Sequence, residues 1–110
     1  MGITKTDGFK QETINISNSL KALGHPARFA IIEFLSESPS CICNDIVEEL
    51  PLAQPTISRH LAELKQAGLI QGNIEGKNIC YCINPDGLKE IHTVLGNLLN
   101  QIEKNTNCCK

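Results

Sequence analysis

The sequence predicts a mainly α-helical, winged helix-turn-helix domain with a β-hairpin wing, built to pair as a homodimer. Three observations predict it. Two short helical patterns meet at the tight turn Pro51-Leu52-Ala53, which is the layout of a helix-turn-helix. Directly afterwards the apolar period changes from helical to alternating over 69–83, as a hairpin requires. A long amphipathic pattern then closes the chain, with more apolar residues than a solvated helix needs.

The elements follow in order. Ile16, Leu20 and Leu23 lie three or four apart, so a first helix spans about 13–23. Gly24-His25-Pro26 interrupts it, and Pro26 suits the first turn of a second helix. Ala27, Ala30, Ile31, Phe34 and Leu35 give that helix its apolar stripe, and Ser36-Glu37-Ser38-Pro39 ends it. Ser40 suits the N-cap of a short third helix running to Leu50, with Ile46, Val47 and Leu50 inward. The next helix starts at Gln54 or Pro55, carries Ile57, Leu61 and Leu64 inward, and stops at Gly68. Leu69–Ile74 and Ile79–Ile83 read as strands around the turn Glu75-Gly76-Lys77-Asn78. Pro85 and Asp86 favour a last helix start. Leu88, Ile91, Leu95, Leu98 and Ile102 along it approximate a heptad seam, which packing with a partner's first helix would bury.

The chain has 110 residues, enough for one domain over 1–110, with 1–12 and 104–110 as expected flexible tails. Its 41% apolar and 20% charged residues are those of an ordinary globular protein. No apolar run approaches a membrane span, and the first residues lack a signal-peptide layout, so the expected location is the cytoplasm. The net charge of −2 gives no general attraction to nucleic acid, so DNA binding must rest on local pattern.

That pattern lies at the start of the second helix of the helix-turn-helix, the part such domains place in the major groove. Gln54, Thr56, Ser58, Arg59 and His60 are the candidate readers there. Gln pairs with adenine, Arg with guanine, and Ser or Thr with base or phosphate. Lys65 further along and Lys77 at the hairpin tip are placed for the backbone. A merely solvated helix face has the same polarity, and Glu63 and Glu75 dilute the positive charge. The winged layout weighs toward double-stranded DNA.

Six cysteines fall in three close pairs, Cys41/Cys43, Cys80/Cys82 and Cys108/Cys109. In a chain with a real hydrophobic core, such pairs point to metal binding or thiol chemistry rather than a disulfide scaffold. There is no C-x-x-C beside a βαβ unit, no phosphate-cradling loop and no Ser/His/Asp constellation, so an enzyme is not expected. Cys80 and Cys82 alternate with Ile79, Tyr81 and Ile83, which suits small apolar packing residues. His25, beside Pro26, reads as structural.

Leu20-Lys21-Ala22-Leu23-Gly24-His25-Pro26-Ala27-Arg28, Gln54-Pro55-Thr56-Ile57-Ser58-Arg59-His60-Leu61-Ala62-Glu63-Leu64 and Ala67-Gly68-Leu69-Ile70 resemble the ArsR/SmtB family of bacterial metal-responsive repressors. The resemblance covers nearly all of the chain. It implies a homodimeric repressor that leaves its operator when an inducer binds. It departs in the wing, where members often carry arginines and this chain has Gln71, Asn73 and Ile74.

By the same resemblance, Cys41 and Cys43 correspond to a C-x-C pair that binds a soft metal or metalloid in many members. Arsenic-responsive relatives commonly add a third cysteine where this chain has Ile46. Trivalent arsenic or antimony takes three thiolates, while cadmium, lead or zinc takes three or four ligands. Cys108 and Cys109 are candidates to make up the number. The histidine and Asp-x-His partners that His92 would need for the zinc site of some relatives are absent. Oxidant, sulfide or persulfide acting on the thiols is the competing inducer.

Within a helix, residues i and i+2 project about 200° apart and cannot share an ion; in an extended segment they face one side. Chelation by both thiols therefore predicts an unwound first turn of the third helix.

Overall fold

In a computed structural model the chain is described at residues 8–38, 41–42, 50–75 and 78–105. These form α1 (Gln11–Leu23), α2 (Pro26–Ser36), α3 (Gln54–Gln66), β1 (Ile70–Glu75), β2 (Asn78–Ile83) and α4 (Pro85–Lys104). The expected short helix of the helix-turn-helix falls on 43–49, outside the described residues, as do Cys43, Lys77, Cys108 and Cys109.

Local chemistry sets each boundary. His25 caps α2, its Nδ1 accepting from the Ala27 amide at 3.0 Å, with Pro26 next in line. The end of α3 is a Schellman motif. Gly68 sits at φ +80°, its N–H donates to the Lys65 carbonyl at 3.0 Å, and Leu69 N–H donates to the Leu64 carbonyl at 3.0 Å. Leu64 and Leu69 are both fully buried, the apolar contact that usually accompanies this motif. Asn84 caps α4 by accepting from the Asp86 amide at 3.2 Å.

Asn84 also holds α4 to the base of the hairpin. Its side-chain amide donates to the Gly68 carbonyl at 2.9 Å, and its backbone N–H donates to the Leu69 carbonyl at 2.9 Å. Gly87 lets this junction close: a Cβ there would collide with the Gly68 carbonyl. Ile31, Ile32 and Leu35 of α2, Ile57, Leu61 and Leu64 of α3, Leu69, Ile70, Ala22 and Ile91 form the core. α1, α2 and β1 thus pack against one face of α3, α4 packs on α1, and the opposite face of α3 is left to solvent.

The strands pair antiparallel from Ile70↔Ile83 to Glu75↔Asn78; β1 is shifted one residue along from the expected Leu69–Ile74, and β2 starts one residue before the expected Ile79. Ile42 adds an isolated antiparallel bridge on the far edge of β2. It exchanges two backbone bonds with Tyr81, of 2.9 and 2.8 Å. Cys41 and Ile42 are therefore extended, not the first turn of a helix capped by Ser40 as expected. The reason is the free edge of β2, whose unpaired groups at Tyr81 this segment satisfies. No helix among the described residues is long and apolar enough to cross a membrane.

Candidate nucleic-acid interface and thiol cluster

The stripe of Ile57, Leu61 and Leu64 turns one side of α3 inward and leaves Gln54, Thr56, Ser58, Arg59 and Lys65 exposed. Successive polar positions at the N-terminal end thus share an outward surface, with the helix's free N–H groups at the same end. Lys65 lies against β1, its ammonium near Gly72, so it bridges helix and wing.

His60 departs from the expectation that placed it on this surface. It is buried, and its ring lies 4.5 Å from that of His25, tilted by 45°. The position explains it: His60 is three residues after Ile57 and four before Leu64, so it belongs to the inward stripe. Burial, then the nearby His25, Arg28 and Arg59, push its pKa below the ordinary histidine value, against a weaker opposing pull from Glu63. Its Nδ1 and the Nε of Arg28 are buried without a hydrogen-bond partner among the described residues. His60 is a neutral packing residue, and His25 both caps α2 and supports it.

The cysteines depart from expectation too. Cys82, read as a packing residue, is joined to Cys41 by a disulfide, with Cα atoms 4.5 Å apart and 41 residues between them in sequence. Cys80 is fully buried and also disulfide-bonded. The Ile42↔Tyr81 bridge creates this arrangement, because it sets residue 41 opposite residue 82. Strand alternation puts Cys80 and Cys82 on one face of β2, away from Tyr81 and Ile83, which pack on the core. The side-chain amide of Asn73 donates to the Cys82 sulfur at 3.9 Å. The described residues contain no group of three or more His, Cys, Asp or Glu that could hold a metal ion. The available signal in sequence was the repetition of C-x-C, since two such pairs match across antiparallel strands.

Among the described residues, four helices, a turn before α3 and a hairpin after it have the arrangement of a winged helix-turn-helix, the DNA-binding domain of many transcriptional regulators. Comparison with known proteins places it more closely. Residues 25–71 match the family described as "Bacterial regulatory protein, arsR family". An uncharacterised HTH-type transcriptional regulator of Methanocaldococcus jannaschii, MJ1325, is 46% identical over 64% of this chain and 80% of its own. The arsenical resistance operon repressor of Staphylococcus xylosus is 30% identical over 84% of this chain and 88% of its own. The crystal structure of an ArsR family transcriptional regulator, RHA00566, superposes with a TM-score of 0.74 at 20% identity, over 86% of this chain and 97% of that one. The chain belongs to the arsR family of regulatory proteins: it is a winged-helix transcriptional regulator, not an enzyme.

Proposed function

We propose that the protein is a homodimeric repressor that binds double-stranded operator DNA in the cytoplasm and leaves it when a soft metal or metalloid engages Cys41 and Cys43. Arsenite or antimonite is the first candidate inducer, ahead of cadmium, lead and zinc, and the tail thiols Cys108 and Cys109 are further candidate ligands. The carrying observation is the extended Cys41-Ile42 segment, bonded to the wing and lying just upstream of the recognition helix. An extended backbone is the geometry in which thiols two residues apart face one ligand. The name of the S. xylosus relative adds support for arsenic.

Operator contact falls to Gln54, Thr56, Ser58 and Arg59 in the major groove, with Lys65 and Lys77 on phosphates. Dimerisation falls to α4 and α1. Leu95, Leu98, Leu99 and Ile102 are exposed along α4, and Leu20 along α1. So many exposed apolar residues on one helix mark a surface meant to be covered.

A second reading has its own observation. The Cys41–Cys82 disulfide is the product a thiol sensor would form with an oxidant or persulfide. One experiment separates the two. Operator release is measured against arsenite, antimonite, cadmium, lead, zinc and peroxide, for the reduced parent, Cys41→Ser, Cys43→Ser and a chain truncated before Cys108. Metalloid release that Cys41→Ser and Cys43→Ser abolish is expected. Release by peroxide with indifference to every metal favours the redox reading, and arsenite release that survives every cysteine change refutes the assignment.

A further inference from the structure

We infer that the cleft between α1, α2 and α3 is an effector site for a small anion, one that carries a carboxylate or phosphate together with a hydroxyl or ammonium donor. The site is separate from the cysteines and does not depend on how they act.

The three helices meet around a volume of about 510 Å³, within the range of small-molecule sites. Helix spacing brings its walls together. Lys21 and Ala22 follow Asn18 by three and four residues, so all three share one face of α1. Gln66 and Ala67 follow Glu63 in the same way along α3. Arg28 enters from the first turn of α2. Buried Ala22 and half-buried Ala67 have side chains too short to fill the space between the helices. Leu20, the α1 residue assigned to pairing, lies about 200° round the helix from Asn18 and from Ala22, so a dimer leaves this face free.

The charges of the cleft select the ligand. Two cations, Lys21 and Arg28, stand with one carboxylate, Glu63, in a chain whose net charge is −2. None of the three has a side-chain hydrogen bond or ion pair among the described residues. The Nε of Arg28 is buried without an acceptor, so part of this guanidinium has lost water and gained nothing in exchange. An oxyanion on its remaining donors offsets the charge, and a guanidinium fork fits a carboxylate or phosphate. Lys21 adds a point charge beside it. Glu63 accepts only, so the same ligand must also bring a hydroxyl or ammonium group to it. The amides of Asn18 and Gln66 serve either end. Such a ligand touches α1, α2 and the C-terminal part of the recognition helix at once. Its affinity and that for operator are thereby coupled, each changing the other by the same factor.

The test titrates the full chain with glycerol phosphate, lactate, glycine and acetate, each alone, and follows backbone amides by NMR. Acetate is the anion without a donor. Saturable shifts at residues 18–28 and 63–67 are expected with at least one donor-bearing probe, which should bind more tightly than acetate. The phosphate and carboxylate arms show which anion the cleft takes. Lys21→Gln and Arg28→Gln should each weaken that probe about tenfold, and Glu63→Gln should bring it toward acetate. Lys21 is exposed, so its variant keeps the test sound where Arg28→Gln folds poorly. Operator affinity, measured with and without the probe, should change in the parent and much less in Lys21→Gln. No saturation with any probe, or equal shifts in the parent and both charge variants, overturns the site. Acetate binding as tightly as the rest reduces it to a patch of positive charge, and binding that leaves operator affinity unchanged removes the effector role. Charge variants that bind no probe and only lower the salt slope of operator binding make the cleft a DNA backbone contact, which also overturns the inference.

Discussion

The dimer proposal makes a quantitative claim about Leu98. This side chain sits on the outer face of α4 and is 56% exposed in the single chain. Covering a leucine fully stabilises by about 1.5–3 kcal/mol, so covering the exposed share contributes roughly 0.8–1.7 kcal/mol. In a two-fold dimer every residue acts twice, which raises the figure to roughly 1.7–3.4 kcal/mol. Leu98→Ala removes most of that and should weaken dimerisation; losing all of it, roughly 20- to 300-fold, is the upper bound. Alanine is the best helix former, so α4 itself should keep its structure. Analytical ultracentrifugation across a dilution series gives the constant, and circular dichroism checks the helix. A parent that stays monomeric at micromolar concentration, or a Leu98→Ala chain that pairs as tightly as the parent, refutes the reasoning.

Other consequences concern single side chains. Asn84→Ala removes the α4 cap and the side-chain bond to Gly68, and should cost about 1–3 kcal/mol in urea unfolding; an unchanged midpoint would show the junction is held elsewhere. His60 carries a depressed pKa in the folded state, so the unfolded chain binds its proton more readily. Stability should therefore fall as pH drops below about 6.5, and His60→Leu should flatten that part of the curve; an identical acid loss in both chains contradicts the burial argument. Arg59→Ala should lower the slope of log affinity against log salt by about 0.9 per protomer, about 1.8 per dimer, if Arg59 pairs with phosphate. A parallel slope with altered base preference would instead make it a base reader.

Much of this fold was legible locally. The end of α3 was visible as Gly68 following a helical stripe, and the start of α4 as Asn84-Pro85-Asp86, because capping depends on a few adjacent residues. His60 was misplaced for a related reason. Its chemistry suggested an outer surface, while its spacing from Ile57 and Leu64 put it within the inward stripe, and spacing decided. The thiol cluster was the least legible part. Cys41 and Cys82 are separated by 41 residues, and only the Ile42–Tyr81 bridge makes them neighbours. Helix propensity around Ser40 favoured a helix start, and a non-local strand edge overrode it.

The same bridge accounts for how a change at the thiols can reach DNA. Ile42 is bonded to β2, β2 is paired with β1 along its length, and β1 leaves α3 through the Gly68 motif that Asn84 clamps. Each link is a backbone ladder or a capped turn, so displacement at Cys41 has no soft joint to dissipate in before α3. The energies are of the right size. Hundredfold operator release needs a difference of about 2.8 kcal/mol between bound and free geometries. Two backbone bonds between Ile42 and Tyr81 contribute about 1 kcal/mol each, about 2 per protomer and about 4 in a dimer. Making or breaking that one bridge in both protomers is therefore enough to set operator affinity, provided the DNA-bound geometry differs in whether the bridge is formed. The Cys41–Cys82 disulfide ties the same segment to β2, so breaking it would act on that bridge directly.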